Sequence, residues 1–255
     1  MVPQPWPETD RGLLRLFPLA VARVQLRPDP LDSALMLQQV LALRGDLDAN
    51  PDPACAWTGD FHGVWQLHHQ PEFRWLLDQV TCEAQHYLRA LGFDLRRIRL
   101  HLQRCWPVVA EPGQVVGRHH HPNAHLSAVY YLNGDGSGRS GCLRLFDGRC
   151  SNELVPGLAV GHDGPIASCH PLNAGWHDLA PQAGLLVIFP SSTDHAVLPS
   201  EDEEDLRLSI SFDLCLTAPA CGPGQPQPAE YLAPHPGQWL ELPLDAAPPS
   251  GKMEG

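Results

Sequence analysis

The chain is poor in positive charge. Its 17 Lys and Arg residues stand against 29 Asp and Glu, for a formal net charge of −12 and a pI near 5.5, and the basic residues are scattered. Phosphate backbones and anionic lipids are held by clustered Lys and Arg, so neither nucleic acid nor a membrane surface is an expected partner. No apolar run approaches the ~20 residues of a membrane helix, and the start of the chain lacks a basic segment followed by an apolar one of the secretory type. The eight cysteines, Cys55, Cys82, Cys105, Cys142, Cys150, Cys169, Cys215 and Cys221, form no Cys-x-x-Cys pair. This pattern reads as a reduced, cytoplasmic protein with buried or inert thiols. There is no internal repeat.

With 255 residues, 43% of them hydrophobic, the chain can bury one substantial core. The expected organisation is one domain over residues 1–217, with helical support at its N-terminal end. A Pro- and Gly-rich tail, residues 218–255, follows. Tyr231, Trp239 and Leu242 are expected to anchor part of the tail, and its last residues to be disordered. Residues 13–26 alternate in short steps around Pro18, as an edge strand does. Residues 29–43 read as a helix with an Asp-Pro start and a broad buried face of Leu31, Leu35, Leu37, Val40 and Leu41. Residues 46–63 read as loop. A stronger helix spans residues 71–91, with Phe73, Leu76, Leu77, Val80, Ala84, Tyr87, Leu88 and Leu91 at helical spacing and Gly92 as its stop.

Beyond residue 95 the pattern changes to short runs at 98–109, 115–121, 126–132, 142–146, 184–189 and 206–214, divided by Gly, Pro and Asn. Such spacing predicts a mostly β fold of the sandwich or jelly-roll kind, with the helices flanking its N-terminal side. Residues 133–141 form a turn. Residues 150–180 are a long irregular insertion in which Trp176, His177 and Asp178 are candidates to shape a pocket.

The chemistry is concentrated in histidine. His119 and His121 sit at i and i+2, the spacing that turns two side chains to one face of a strand, where they can grip one ion. His120 and His125 crowd the same segment, so an ordinary polar loop is the bland alternative. That alternative weakens with His195, which the strand-like run at 184–189 carries toward the mouth of a barrel. Imidazole suits iron, nickel, copper and zinc alike. In residues 206–213, Leu206, Leu208, Ile210 and Phe212 alternate with Arg207, Ser209, Ser211 and Asp213. An arginine on an inward polar face needs an anionic partner. A bound carboxylate would serve, gripped in a bidentate manner with Ser209 as a further donor. The alternative partners are Asp213 or the acidic residues 201–205. Of Tyr130 and Tyr131, alternation puts one in the core and lets the other reach the pocket, without saying which.

At these residues the chain resembles the iron(II)- and 2-oxoglutarate-dependent oxygenases, in particular their prolyl-hydroxylase-like branch. Arg118-His119-x-His121, the run Val129-Tyr130-Tyr131-Leu132-Asn133, the segment from Ser140 to Phe146, the run into His195, and Arg207 carry the likeness. Leu16-Phe17-Pro18, Trp106, Leu126-Ser127, Phe189-Pro190-Ser191 and Ser209-Ile210-Ser211-Phe212 resemble a bacterial group of that superfamily, and the likeness spans residues 14–214. It implies a double-stranded β-helix, Fe(II) as metal, 2-oxoglutarate and O2 as cosubstrates, ascorbate as a stimulant, and hydroxylation of a small-molecule or peptide substrate. His119 and His195 would be iron ligands, with His121 where the pattern more commonly has an aspartate. Arg207 and Tyr131 would bind the distal carboxylate of 2-oxoglutarate. A cupin-type enzyme is the nearest rival, since Gly113, His119, His121, Gly184, Pro190 and His195 fall near its spacings. A barrel that binds a partner without catalysis is the other.

Overall fold

The computed structural model describes residues 17–45, 52–139, 141–149, 152, 154–155, 166–168, 171–201, 206–226 and 231–242. Leu16 and Ser140, most of the insertion, the acidic residues 202–205 and the last residues of the tail lie outside that set. The elements run β1 (Ala22–Gln25), α1 (Pro30–Arg44), β2 (Trp57–Thr58), α2 (Arg74–Ala90), β3 (Arg99–Ala110), β4 (Val116–His119), β5 (Leu126–Tyr131), β6 (Leu143–Phe146), β7 (Trp176–Leu179), β8 (Leu185–Pro190), β9 (His195–Val197) and β10 (Arg207–Thr217). They form a six-stranded sheet in the order β1-β8-β5-β10-β3-β2 and a four-stranded sheet in the order β4-β9-β6-β7. Neighbouring strands pair antiparallel throughout. The architecture is the expected jelly roll.

The larger sheet is buried on both faces, which explains the unbroken apolar run of β8. Leu186 and Ile188 of β8 join Tyr130 of β5 and Ile210 and Phe212 of β10 in one core with Leu76, Val80, Ala84, Tyr87 and Leu88 of α2. Leu185, Val187 and Phe189 point the other way and pack with Tyr131, Leu143 and Leu145. Tyr130 is therefore the core tyrosine, and Tyr131 faces the smaller sheet.

Helix ends follow the local chemistry. Asp29 caps α1 by accepting from the Leu31 amide at 2.9 Å, with Pro30 at the first helical position. After α2 the chain turns at Gly92 with φ +87°. The Phe93 amide donates to Leu88 and the Gly92 amide to Arg89, at 3.0 and 2.9 Å, a bond pair that needs the left-handed residue between.

Several expectations require correction. Helix α1 buries Met36 and Val40, whereas Leu31, Leu35 and Leu41 are exposed. Its leucines are spread around the helix, so they define no single apolar stripe. Three strands lie where none was expected: β2 has two residues, β9 has three, and β7 is an exposed edge strand inside the presumed irregular insertion. Trp176 and Asp178 do not line the cavity that holds the expected site residues. Asp178 accepts two bonds from Arg144 at 2.7 Å each, and that guanidinium lies 4.8 Å from the Trp176 ring, so the trio fastens β7 to β6. In the tail, Tyr231, Trp239 and Leu242 are exposed. It is held instead by a backbone bond from Ala218 to Ala233 at 2.9 Å, by Gln238 against Cys221, and by the His235 ring against His101.

Candidate active site

His119 ends β4 and His195 begins β9, and the two are direct partners in the smaller sheet. His121 lies past the end of β4 rather than on it, its amide donating to the Ser191 carbonyl at 3.0 Å. The three rings nonetheless converge, with one ligand nitrogen from each lying within 4.8 Å of the others. The Nε2 atoms of His119 and His121 are 3.2 Å apart, and two nitrogens bound side by side to one ion at ~2.1 Å are about 3 Å apart.

Each ring is oriented by its other nitrogen. The Nδ1 of His119 lies 2.7 Å from the Gly117 carbonyl, and that of His195 lies 2.9 Å from the Thr193 carbonyl. A carbonyl only accepts, so both Nδ1 atoms carry the hydrogen and both Nε2 atoms present a lone pair to the centre. The Nδ1 of His121 meets Asp213 Oδ1 at 2.5 Å. Such outer partners fix ring angle and tautomer in metal sites. The other two histidines of the cluster are used elsewhere: His120 faces Asp194, and His125 accepts from the Leu216 amide.

Burial pushes the His195 imidazole down to about 4, helped by its two neighbouring histidines against the opposing Thr193 carbonyl and Asp194. His119 is lowered as well, again chiefly by burial. A folded-state value below the ordinary 6.5 means that the unfolded chain takes up more protons between the two values, so stability falls with pH there. The metal-free protein is expected to lose stability as pH drops from ~6.5 toward ~4. Urea midpoints measured across that window should fall. The His195→Gln variant should show a shallower slope, and an equal slope would remove His195 as the cause.

On the opposite strand system, Arg207 is 2% exposed. Its Nη1 donates to the Gly141 carbonyl at 3.3 Å, while Nε and Nη2 are buried with no partner among the described residues. Asp213 is not its partner, being engaged by His121 and Arg104. Gly141, at φ +86°, lies so near the guanidinium that a β-carbon there would sit 3.1 Å from Nη1. Burial lowers the Arg207 pKa and pushes the Tyr131 phenol up to about 12. Ser209 pairs in register with Tyr131 across β10 and β5. All six expected site residues, His119, His121, His195, Tyr131, Arg207 and Ser209, line one cavity of about 490 Å³.

That cavity fits both a metal ion and a dicarboxylate: three imidazole lone pairs converge on one point, and two buried guanidinium nitrogens lack an acceptor among the described residues. Residues 104–213 match the family described as "Putative 2OG-Fe(II) oxygenase". Over those residues the chain is similar to that family. No curated protein matches the chain. Among solved structures it is similar to the non-heme alpha-ketoglutarate-dependent carbocyclase SnoK of nogalamycin biosynthesis, with 14% identity, TM-score 0.54 and coverage of 78% of this chain and 82% of that one. The epimerase SnoN of the same biosynthesis gives 17%, 0.53, 86% and 92%. AviO1 from Streptomyces viridochromogenes gives 15%, 0.51, 82% and 92%. These likenesses establish the double-stranded β-helix.

Sequence reasoning missed Asp60 and Arg104, and it considered Asp213 only as a partner for Arg207. Asp213 had a signal, since it shares the inward parity of Arg207, Ser209 and Ser211 along β10. Arg104 lies opposite it in register on β3, which no local pattern discloses.

Proposed function

We propose that His119, His121 and His195 hold the iron and that Arg207, with Tyr131 and Ser209, binds the distal carboxylate of 2-oxoglutarate. The reaction would be hydroxylation of a C–H bond of an amino acid, a peptide side chain or a small metabolite, with release of succinate and CO2. The observation that carries this reading is the presence, in one cavity, of three converging imidazoles and a buried guanidinium with two donor nitrogens unpartnered among the described residues.

Iron and 2-oxoglutarate, when bound, supply the activation of O2 and the oxidising power. The chain's own work is placement. Arg207 gives the distal carboxylate a buried, charge-assisted partner with fixed direction. Tyr131 remains a phenol and can donate. The carbonyls of Gly117 and Thr193 hold two rings at the angle that presents Nε2. Phe189 packs edge-on against His195 at 5.1 Å and keeps water from that side.

The same cavity is lined by Asp60, one of whose oxygens, Oδ1, is buried without a partner among the described residues. Phe61 beside it is 87% exposed and also lines the cavity. An unsatisfied carboxylate oxygen next to an apolar rim supports a substrate with an N–H donor or a cationic nitrogen and an apolar part.

The test is anaerobic loading of the metal-free protein with iron(II), addition of 2-oxoglutarate, a visible spectrum, then oxygen and a succinate assay. A weak charge-transfer band and slow succinate release without substrate are expected, and amine-bearing candidates should accelerate release more than anionic ones. Bound iron with neither band nor succinate would overturn the proposal in favour of a cupin-like or noncatalytic barrel.

A further inference from the structure

The ligand set read above is three imidazoles, and it carries no charge. Directly behind it lies Asp213, 0% exposed, with both oxygens committed. Oδ1 meets His121 Nδ1 at 2.5 Å, and Oδ2 accepts from Arg104 Nε at 2.9 Å and Nη2 at 2.5 Å. A plain cross-strand ion pair would leave the second oxygen to another backbone or solvent donor. Here it goes to the one histidine whose ring no carbonyl orients.

Two features aim the side chain. The β10–β3 register shifts between Asp213 and Leu214, and an irregularity of this kind re-aims a side chain beside a site. Arg104 also reaches Asp60 Oδ2 at 3.5 Å, with its guanidinium 4.9 Å from the Trp106 ring, and that ring stacks on His121 at 5.7 Å. Asp213, Asp60 and Arg104 together carry two negative charges and one positive. The wall behind His121 is therefore negative by one unit, the charge that a carboxylate at position 121 would have contributed.

We propose that Asp213 is a positioning residue that supplies this charge through His121, holding the ring with its proton on Nδ1 and making Nε2 a stronger donor to the metal. The carboxylate expected at position 121 is moved one residue layer outward, from the segment just after β4 to β10, the strand that carries Arg207. The proposal rests on His121 being a ligand.

The experiment is anaerobic titration of the metal-free protein with cobalt(II), without 2-oxoglutarate, read by the visible absorption of the bound ion. Losing an outer carboxylate of this kind weakens metal binding by about 10–100-fold, and that loss is expected for Asp213→Asn. The double variant Asp213→Asn/Arg104→Gln leaves no unpaired guanidinium behind and should fold, as far-ultraviolet circular dichroism will verify, with the same loss. His121→Asp alone sets two carboxylates against each other and should bind cobalt poorly. His121→Asp/Asp213→Asn returns one carboxylate to the metal and should recover most of the affinity. Wild-type-like affinity in both Asp213 variants, or no recovery in the swap, overturns the proposal and leaves the oxygenase reading intact. Absence of cobalt binding by the wild type overturns the ligand set as well.

Discussion

Replacing Arg207 by alanine should raise the 2-oxoglutarate concentration for half-maximal succinate formation by at least about 30-fold while leaving iron binding nearly unchanged. Truncating one member of a buried, hydrogen-bonded charge pair costs about 2–5 kcal/mol, and 1.4 kcal/mol is a factor of ten. On the proposed roles the ligand site is untouched, because Arg207 would reach it only through the cosubstrate. The sign of the stability effect is a second check. Two of the guanidinium nitrogens are buried without a partner among the described residues, a cost that, on the proposed role, the folded state carries until the carboxylate arrives. Arg207→Met, which keeps volume and drops the charge, should therefore leave the apo-protein as stable as the wild type or more so. Unchanged cosubstrate affinity in both variants would remove Arg207 from the site.

Replacing His195 by alanine should abolish succinate formation, and added 2-oxoglutarate should not restore it. His195 is 5% exposed, faces His119 across the strand pair, and offers a neutral nitrogen even in mild acid. Without it two imidazoles remain for an ion that needs a fixed, facial set. Activity within about tenfold of the wild type, only ~1.4 kcal/mol of barrier, would take His195 out of the metal site. A parallel measurement of bound iron separates loss of metal from loss of fold.

Much of this site was legible because strands write their two faces into alternate positions. The apolar and polar halves of residues 206–213 became the core face and the site face of β10, and the double burial of β8 appeared as an unbroken apolar run. What alternation cannot encode is which face a tyrosine takes, and pairing settled that for Tyr131 through Ser209. Strands β2 and β9 are too short to show a period, and β7 is polar because it lies at an edge. The Arg104–Asp213 pair was invisible for a different reason. It joins residues 109 positions apart, and only the register of β3 on β10 brings them together. The exposed tail aromatics were overread, since a large apolar side chain need not find a partner to be tolerated at a surface.

The smaller sheet holds two of the three histidines on strands of four and three residues, β4 and β9, whose pairing is interrupted between Val116 and His119. An ion bound there would fasten a seam that the backbone closes only loosely. A ligand that binds only the folded chain at a hundred times its dissociation constant stabilises it by about 2.7 kcal/mol. Removing the ion would then loosen the seam as well as stop turnover, so loss of the metal and loss of stability would be coupled in this sheet.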